Sequence, residues 1–416
     1  MNPFFHAILA VSEVVKNITE VGETLAYTWF GRPNWAYSET AQKYWIGTTK
    51  DTVGGTTQHI TEYNLEDNTY TTTKLGSVFQ KDDHNQSQIL IRESDKRLIA
   101  FYVEHNGSQL RWKISTNPLD GKFWGTEINY NPISTYSYIS PYQASNGNIF
   151  VFFRSFLGAG DFRWYFIKST DDGLTFGAHT EFFNNGAVQA YLISSQDGDK
   201  VHFTASNGHP NNNPALNISV YHFYFDLITE TSHKSDATLI TLPLNVSKLT
   251  SVALTAGNNT SWILDIVCKN NLPRIIYTYY PEGRVNNWIL KELWFAEWNG
   301  TNWINNQKIS ETLNGYIEDD AEIVEKAYSD ASRFDTYNPD IIWMPKQVNG
   351  ILEIHKVDLR NNPVYIEQIT FNSTVNNWRP ISVPSPVNNL LWLKNNDYNM
   401  YNDYSITLQT KTVDVN

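Results

Sequence analysis

Short apolar runs closed by polar turns fill nearly the whole chain. Leu98–Val103, Ile149–Arg154 and Lys200–Ala205 are rich in β-branched and aromatic residues, the composition that favours β-strands. Turns built from Asn, Asp and Gly separate the runs, as at Asn146–Asn148 and Asn349–Gly350. The pattern predicts an all-β chain made of short strands.

A turn motif recurs between these strands. Its clearest copy, Ser169–Phe176, fits the pattern Ser-x-Asp-x-Gly-x-Thr-aromatic, in which the aspartate caps backbone N–H groups and the aromatic ring fills the sheet. Looser copies are Ser115–Trp124, Ala296–Trp303 and Asn372–Trp378. Repeats of roughly 40–50 residues are typical of β-propeller blades, and the chain is long enough for about seven to nine of them. A pair of β-sandwiches is the alternative fold.

The chain has no obvious internal boundary. No Pro-rich or Gly/Ser-rich linker divides it, so a single propeller domain over residues 1–416 is predicted, with residues 1–24 as an N-terminal extension.

Composition narrows the class of partner. The net charge is −12 and charged residues are sparse, which argues against a nucleic-acid binder because such proteins carry a basic surface. No apolar run approaches the roughly 20 residues of a membrane span, so membrane insertion is not expected. The chain has 14 Trp, 24 Tyr and 21 Phe, and exposed aromatic rings make good platforms for sugars. An extracellular protein is expected, with association with a virion as the alternative.

Two His-Asn pairs, at His84-Asn85 and His105-Asn106, end neighbouring apolar runs. Histidine is the side chain best suited to moving protons near neutral pH, although a hydrogen-bonded structural role is the alternative. The apolar strand that begins at Ile149 ends in Arg154, whose guanidinium requires an anionic partner or a cleft. If the chain is a propeller, the ends of its inner strands bring further candidates to the same face, namely Tyr138, Tyr191 and His209.

These residue types suit β-elimination at a uronic acid. An arginine neutralises the sugar carboxylate, while a tyrosine and a histidine serve as base and acid, with no cofactor. The base remains open between Tyr138 and a histidine. A hydrolase would need paired carboxylates, and near the candidates only Asp82-Asp83 offers such a pair, with Asp319-Asp320 much further along the chain. A sialidase would need three arginines.

A small structural zinc site is a separate hypothesis. His209, His222 and Cys268 offer nitrogen and sulfur ligands, which suit zinc, although their spacing matches no short motif. The alternative for Cys268, the single cysteine of the chain, is a small buried apolar residue.

Several segments follow one another in an order that resembles a known family. They are Trp29–Pro33, Asp82–Asn85, Phe101–Asn106, Phe152–Arg154, Asn207–Pro210, Trp262–Ile266 and Trp298–Trp303. Together they resemble the BNR-4 type seven-bladed propellers, a group that includes the ulvan lyases, over residues 25–360. The Asp-Asp-His-Asn and Gly-His-Pro elements are the specific ones.

The resemblance implies a role for each candidate. It implies His84 and His105 in the cleft, Tyr138 as catalytic base or acid and Arg154 as carboxylate neutraliser. It also implies substrate contacts from Asn85, Tyr191 and His209. The predicted function is a lyase acting on an anionic, uronate-containing polysaccharide. The alternatives are a non-catalytic carbohydrate-binding propeller, such as a phage tail or adhesin module, and a sialidase-like hydrolase.

Overall fold

The apolar runs form strands because their β-branched and aromatic side chains pack on both faces of small sheets. In the computed structural model the described residues are 19–28, 30–32, 34–209, 217–257, 259–281, 290–313, 331–383 and 389–413. Strand β12 (Ile149–Phe156) is packed on both faces in this way, since all of its residues except the last are buried. It pairs on either side with antiparallel neighbours.

The described strands form seven antiparallel sheets in a ring, which makes the fold a seven-bladed β-propeller and confirms the predicted fold class. The first three blades contain β2 (Leu25–Ala26), β3 (Trp35–Ser38), β4 (Lys43–Thr52), β5 (Gly55–Asn64), β6 (Thr69–Lys74); β7 (Gln88–Ile91), β8 (Arg97–Val103), β9 (Leu110–Pro118), β10 (Ile128–Tyr130); and β11 (Ser137–Gln143), β12, β13 (Phe162–Ser169), β14 (Thr180–Asn184).

The fourth and fifth blades contain β15 (Leu192–Asp197), β16 (Lys200–Ser206), β17 (Val220–Asp226), β18 (Thr231–His233), β19 (Leu239–Ile240), β20 (Thr250–Ala253); and β21 (Thr260–Lys269), β22 (Leu272–Tyr280), β23 (Leu290–Trp298), β24 (Trp303–Leu313). The sixth and seventh contain β25 (Arg333–Phe334), β26 (Ile341–Val348), β27 (Ile351–Asp358), β28 (Tyr365–Gln368); and β29 (Asn377–Val383), β30 (Asn389–Met400), β31 (Asp403–Thr412), β1 (Thr19–Glu23). Short 3₁₀ turns lie at Asp83–Asn85 and Val246–Lys248.

The N-terminal strand closes the ring. Strand β1 pairs antiparallel with β31, so the seventh blade combines residues from both ends of the described chain. The prediction of a separate extension over residues 1–24 is therefore wrong for Thr19–Glu23, which belong to a blade. Residues 1–18 lie outside the described part of the chain.

The innermost strands surround a central cavity of about 280 Å³. Each of the seven sheets contributes lining residues, for example Ala36, Ile89, Tyr142, Ser194, Asp265, Phe334 and Ser382. Between the blades the core is aromatic: the Phe152 ring lies 4.9 Å from Phe182 and 5.2 Å from Phe203 of the next blade, centroid to centroid. Neighbouring blades are thus held together by side-chain packing between their sheets, while the pairing of β1 with β31 closes the ring.

The predicted turn motif forms as expected at Ser169–Phe176. Asp171 accepts hydrogen bonds from the Thr175 backbone N–H at 2.9 Å and from its hydroxyl at 2.6 Å. Gly173 adopts a φ of +78°, and its carbonyl accepts a hydrogen bond from the Trp112 indole at 2.8 Å. The Phe176 ring packs edge-on against Trp112 of the preceding blade. The motif therefore joins neighbouring blades.

Among the described residues, no helix has the length and apolar character needed to cross a membrane.

Candidate functional site

The histidine, tyrosine and arginine candidates meet at one face of the ring. His84 lies just before β7 and Tyr138 at the start of β11, both innermost strands. His105 follows the end of β8 and Arg154 lies near the end of β12; these second strands run antiparallel to the first. The start of a first strand and the end of a second therefore reach the same edge of each blade.

The Asp82 carboxylate joins the two histidines. One oxygen lies 2.7 Å from His84 Nδ1 and the other 2.9 Å from His105 Nδ1. The two imidazoles stack with centroids 4.5 Å apart and an interplanar angle of 9°. Because Nδ1 of His105 faces the carboxylate, that nitrogen carries the proton, and Nε2 presents a lone pair. Nε2 is buried and has no hydrogen-bond partner among the described residues.

Local sequence explains this arrangement. Asp82 caps the 3₁₀ turn by accepting a hydrogen bond from the His84 backbone N–H at 2.8 Å. Asp83 places one carboxylate oxygen 2.8 Å from His84 Nδ1, and its other oxygen accepts hydrogen bonds from Arg379 at 2.6 Å and from the Tyr398 hydroxyl at 2.8 Å. The turn is therefore anchored in the seventh blade.

Asn85 has a supporting position in the structure, and its contact with substrate stays a prediction. It is completely buried, and its amide donates to Thr56 Oγ at 3.0 Å and to the Gln80 carbonyl at 2.8 Å. Its oxygen accepts a hydrogen bond from the His105 backbone N–H at 2.7 Å. Asn85 thus fixes the backbone that carries His105.

The two histidines have opposite pKa shifts. Burial lowers the pKa of His84, but the Asp82 and Asp83 carboxylates outweigh it and raise that pKa well above 6.5. Burial and the positive charge of His84 lower the pKa of His105 below 6.5, against the opposing effect of Asp82. At neutral pH, His84 is therefore an imidazolium and His105 a neutral imidazole, an arrangement typical of acid–base sites.

Tyr138 and Arg154 lie next to this pair. The Tyr138 ring centroid is 5.5 Å from that of His84 and 5.7 Å from that of His105. The Arg154 guanidinium lies 4.3 Å from the Tyr138 ring centroid and 5.1 Å from that of Tyr191. Burial raises the pKa of Tyr138 well above 10. Its hydroxyl, 3.4 Å from that of Tyr191, therefore stays protonated at neutral pH.

Tyr191 and His209 extend the site toward the fourth and fifth blades. Their rings lie 5.1 Å apart, and His209 also packs against Trp262 at 5.1 Å. The Gln189 side chain donates to the Tyr191 hydroxyl at 3.0 Å. The structure thus brings together six of the predicted residues, in one aromatic cluster: His84, His105, Tyr138, Arg154, Tyr191 and His209.

The zinc ligand set predicted from the sequence does not assemble. Among the described residues, the groups that place ligand atoms within reach of one metal are Asp82, His84 and His105, and Asp197, His202 and Cys268. His209 follows the end of β16 at the site face, whereas Cys268 lies near the far end of β21. His222 bonds to His202 in the sheet of the fourth blade instead. His209, His222 and Cys268 are therefore not brought together as one ligand set.

Sequence reasoning missed three contributors to the site. Phe30 packs against Tyr138 at 5.0 Å and against Tyr191 at 4.9 Å. Tyr401 turns its ring edge to His84 at 5.4 Å, and its carbonyl accepts the Asp83 backbone N–H at 2.9 Å. Arg379 holds Asp83. The segment Trp29–Pro33 is part of the family resemblance, but no sequence signal connects Arg379 or Tyr401 with a turn in the second blade.

Fold and site together define a propeller with a histidine–tyrosine–arginine cluster at one face. The family model described as "BNR repeat-containing family member" matches residues 37–310, more than half of the chain. The chain belongs to this family, as the resemblance in the sequence predicted. No curated protein matches it.

Solved structures with the same fold include polysaccharide lyases. An ulvan lyase of family PL25 bound to -[GlcA(1-4)Rha3S]- is 16% identical with a TM-score of 0.68, over 94% of this chain and 93% of that one. Polysaccharide lyase Uly1 is 12% identical with a TM-score of 0.59, over 96% and 100%. An oligogalacturonate lyase from Vibrio parahaemolyticus is 10% identical with a TM-score of 0.51, over 96% and 94%. At these identities the likeness shows the fold alone.

Proposed function

We propose that the protein is a polysaccharide lyase that cleaves a uronate-containing, ulvan-like polymer by β-elimination. The observation that carries this proposal is the grouping of His105, whose buried Nε2 has no hydrogen-bond partner among the described residues, with Tyr138 and with the Arg154 guanidinium 4.3 Å from the Tyr138 ring centroid. The lowered pKa of His105 and the raised pKa of Tyr138 agree with a base and an acid. This set supplies a base, an acid and a cation for a carboxylate.

The reaction assigns one role to each group. Arg154, with the His84 imidazolium nearby, neutralises the uronate carboxylate and so acidifies the C5–H bond. His105 Nε2 takes the C5 proton, the C4–C5 double bond forms, and the C4–O4 bond breaks. The Tyr138 hydroxyl gives its proton to the leaving O4. Solvent then restores both groups, so protons and electrons balance without a cofactor.

A hydrolytic mechanism fits the acidic residues poorly. Glycosidases use two carboxyl groups that flank the scissile bond. Asp82 and Asp83 are both buried and are occupied by the two histidines and Arg379. Their positions suit the support of basic side chains better than attack on a sugar.

The substrate class is supported by charge and by the structural neighbours. A cationic pair, Arg154 and His84, favours an anionic sugar over a neutral one. Two structures with the same fold are an ulvan lyase bound to -[GlcA(1-4)Rha3S]-, which contains a uronate, and an oligogalacturonate lyase. Because uronate polymers lie outside cells, we propose an extracellular site of action.

The proposal is tested by incubating the protein with ulvan and with other uronate polymers while following ultraviolet absorbance of the 4,5-unsaturated product. We expect absorbance to rise with the wild type. With Arg154→Ala, the rate of this rise should be about 10²–10³-fold lower, the typical cost of removing one charge-stabilising group. Arg163→Ala, in the adjacent strand β13, serves as control because that arginine pairs with Asp161 outside the cluster. An unchanged rate of elimination by Arg154→Ala would show that Arg154 does not neutralise the uronate carboxylate. Glycan binding without product would favour a carbohydrate-binding propeller.

The pH profile of kcat/KM provides a second prediction. Because the pKa of His105 is lowered, its base form persists below the ordinary histidine value of about 6.5, and activity is expected to fall only under more acidic conditions. On the alkaline side, activity should fall when His84 or Tyr138 loses its proton, and both of these pKa values are raised. Initial rates across pH check this. An acid limb centred above 6.5 would contradict the assignment of His105 as base.

A further inference from the structure

Asp197, His202 and Cys268 meet where the fourth and fifth blades pack together. Asp197 is the last residue of β15, His202 lies in β16, and Cys268 is the penultimate residue of β21. A carboxylate oxygen, an imidazole nitrogen and the thiol sulfur all lie within 4.8 Å of one another. The three residue types include the nitrogen and sulfur ligands that transition metals prefer.

The imidazole of His202 is held by a chain of hydrogen bonds. Its Nδ1 lies 3.1 Å from Nε2 of His222, whose own Nδ1 lies 2.8 Å from the Ser235 hydroxyl. The Trp303 indole donates to that same hydroxyl at 3.0 Å. When His222 donates from Nδ1 to Ser235, its Nε2 accepts from His202 Nδ1–H. The chain then fixes the tautomer in which His202 Nε2 carries a lone pair, as partners behind metal-bound histidines do.

His202 Nε2 gives an independent reason to look for a ligand. This atom is buried and has no hydrogen-bond partner among the described residues, and the side chain as a whole is only 4% exposed. A buried polar atom without a partner costs about 1–3 kcal/mol, so native proteins usually satisfy it. A metal ion on Nε2 would do so.

The surroundings allow a cation to enter and remain. Asp197 and Cys268 are both partly exposed, which leaves an approach from solvent. Lys200 places its ammonium over the Tyr224 ring, 5.1 Å from the centroid. An ionised Asp197 and a Cys268 thiolate together would balance the charge of a divalent ion.

We propose that Asp197, His202 and Cys268 bind a divalent transition metal of the zinc class, with water in the fourth position. Binding converts the Cys268 thiol to a thiolate and releases its proton to solvent. The site stands apart from the proposed catalytic cluster. Tyr191 directly precedes β15 and Asp197 ends it, so the strand's 6 residues put roughly 20 Å between them at about 3.3 Å per residue.

The metal joins two blades. Asp197 and His202 belong to the fourth blade and Cys268 to the fifth, and β15 and β16 pack against β21 along this seam. An ion shared by the two sheets stabilises the folded ring because the unfolded chain does not hold the three ligands together. The site therefore has a structural role and no part in the elimination.

Cobalt binding tests the proposal, because a thiolate bound to Co²⁺ gives a charge-transfer band in the near ultraviolet and Cys268 is the single cysteine. We expect full-length protein to show this band with a single equivalent of Co²⁺ and to lose it when Zn²⁺ is added. Cys268→Ser should lack the band and bind Zn²⁺ at least about tenfold more weakly by calorimetry, since even losing an outer hydrogen-bond partner costs 10–100-fold. Zn²⁺ should raise Tm in the wild type and not in Cys268→Ser.

Two controls distinguish this site from others. His105→Gln removes one member of the other group of potential ligands, Asp82, His84 and His105, and should leave the cobalt band intact. His355→Gln replaces a buried histidine whose ring contacts its own strand through the Glu353 carbonyl, and it should also bind normally. Metal binding without a thiolate band, or binding unaffected by Cys268→Ser, would overturn the proposal, as would no binding at all.

Discussion

Replacing His105 with glutamine is expected to lower kcat for elimination by about 10²–10⁴-fold, the range for loss of a general base. Glutamine keeps the size and polarity of the side chain but has no nitrogen lone pair that can take a proton. The Asp82 carboxylate 2.9 Å from Nδ1 orients the imidazole so that Nε2 is the basic atom, and glutamine cannot reproduce this. Initial rates of ultraviolet absorbance on the best polymer measure the effect.

The comparison with Tyr138→Phe decides between the two bases that the sequence left open. If His105 is the base and Tyr138 the acid, both variants lose most of their activity, but only Tyr138→Phe regains rate on a substrate whose leaving group needs no proton. Should His105→Gln retain elimination while Tyr138→Phe loses it, Tyr138 is the base. His179→Gln serves as control because that exposed histidine meets the Tyr165 ring in the third blade, away from the cluster.

The all-β architecture was predictable because it follows from local sequence patterns, namely apolar runs and turn motifs. Apolar runs such as Ile149–Phe153 became buried strands, and the Ser169–Phe176 motif formed the capped turn that its spacing predicts. The closing strand Thr19–Glu23 was not predictable in this way. It pairs with the opposite end of the described chain, and a register between distant segments leaves no periodic signal in either one.

The site was predictable in its residue types more than in its contacts. The two His-Asn pairs at the ends of neighbouring apolar runs predict His84 and His105. Arg154 is predicted because a guanidinium at the end of a buried strand is costly without a partner or a cleft. The hydrogen bond from Arg379 to Asp83 spans 296 positions and depends on ring closure, so the sequence cannot reveal it. Among the described residues, Cys268 lies near His202 and Asp197, and not in one ligand group with His209 and His222. β16 carries His202 toward Cys268 and leads His209 to the opposite face.

Replacing Arg379 with methionine is expected to destabilise the protein by about 3–5 kcal/mol, the cost of leaving one member of a buried ion pair behind. Arg379 and Asp83 are both completely or almost completely buried, and they lie 2.6 Å apart. Burial raises the pKa of Asp83, but Arg379 and His84 outweigh it and keep the carboxyl ionised. Without Arg379, the Tyr398 hydroxyl remains as the other hydrogen-bond donor in the seventh blade. Urea unfolding followed by tryptophan fluorescence measures the loss.

A double variant separates the buried charge from lost packing. Adding Asp83→Asn to Arg379→Met removes the uncompensated carboxylate, so the pair should be less destabilised than the sum of the two single variants. Arg163→Met is the control, since its ion pairs with Asp161 and Glu181 are partly exposed and worth less than about 1 kcal/mol. If Arg379→Met costs no more than Arg163→Met, the seventh blade does not hold the turn that carries His84. The orientation of that histidine would then depend on the Asp82 and Asp83 oxygens that lie 2.7 Å and 2.8 Å from its Nδ1.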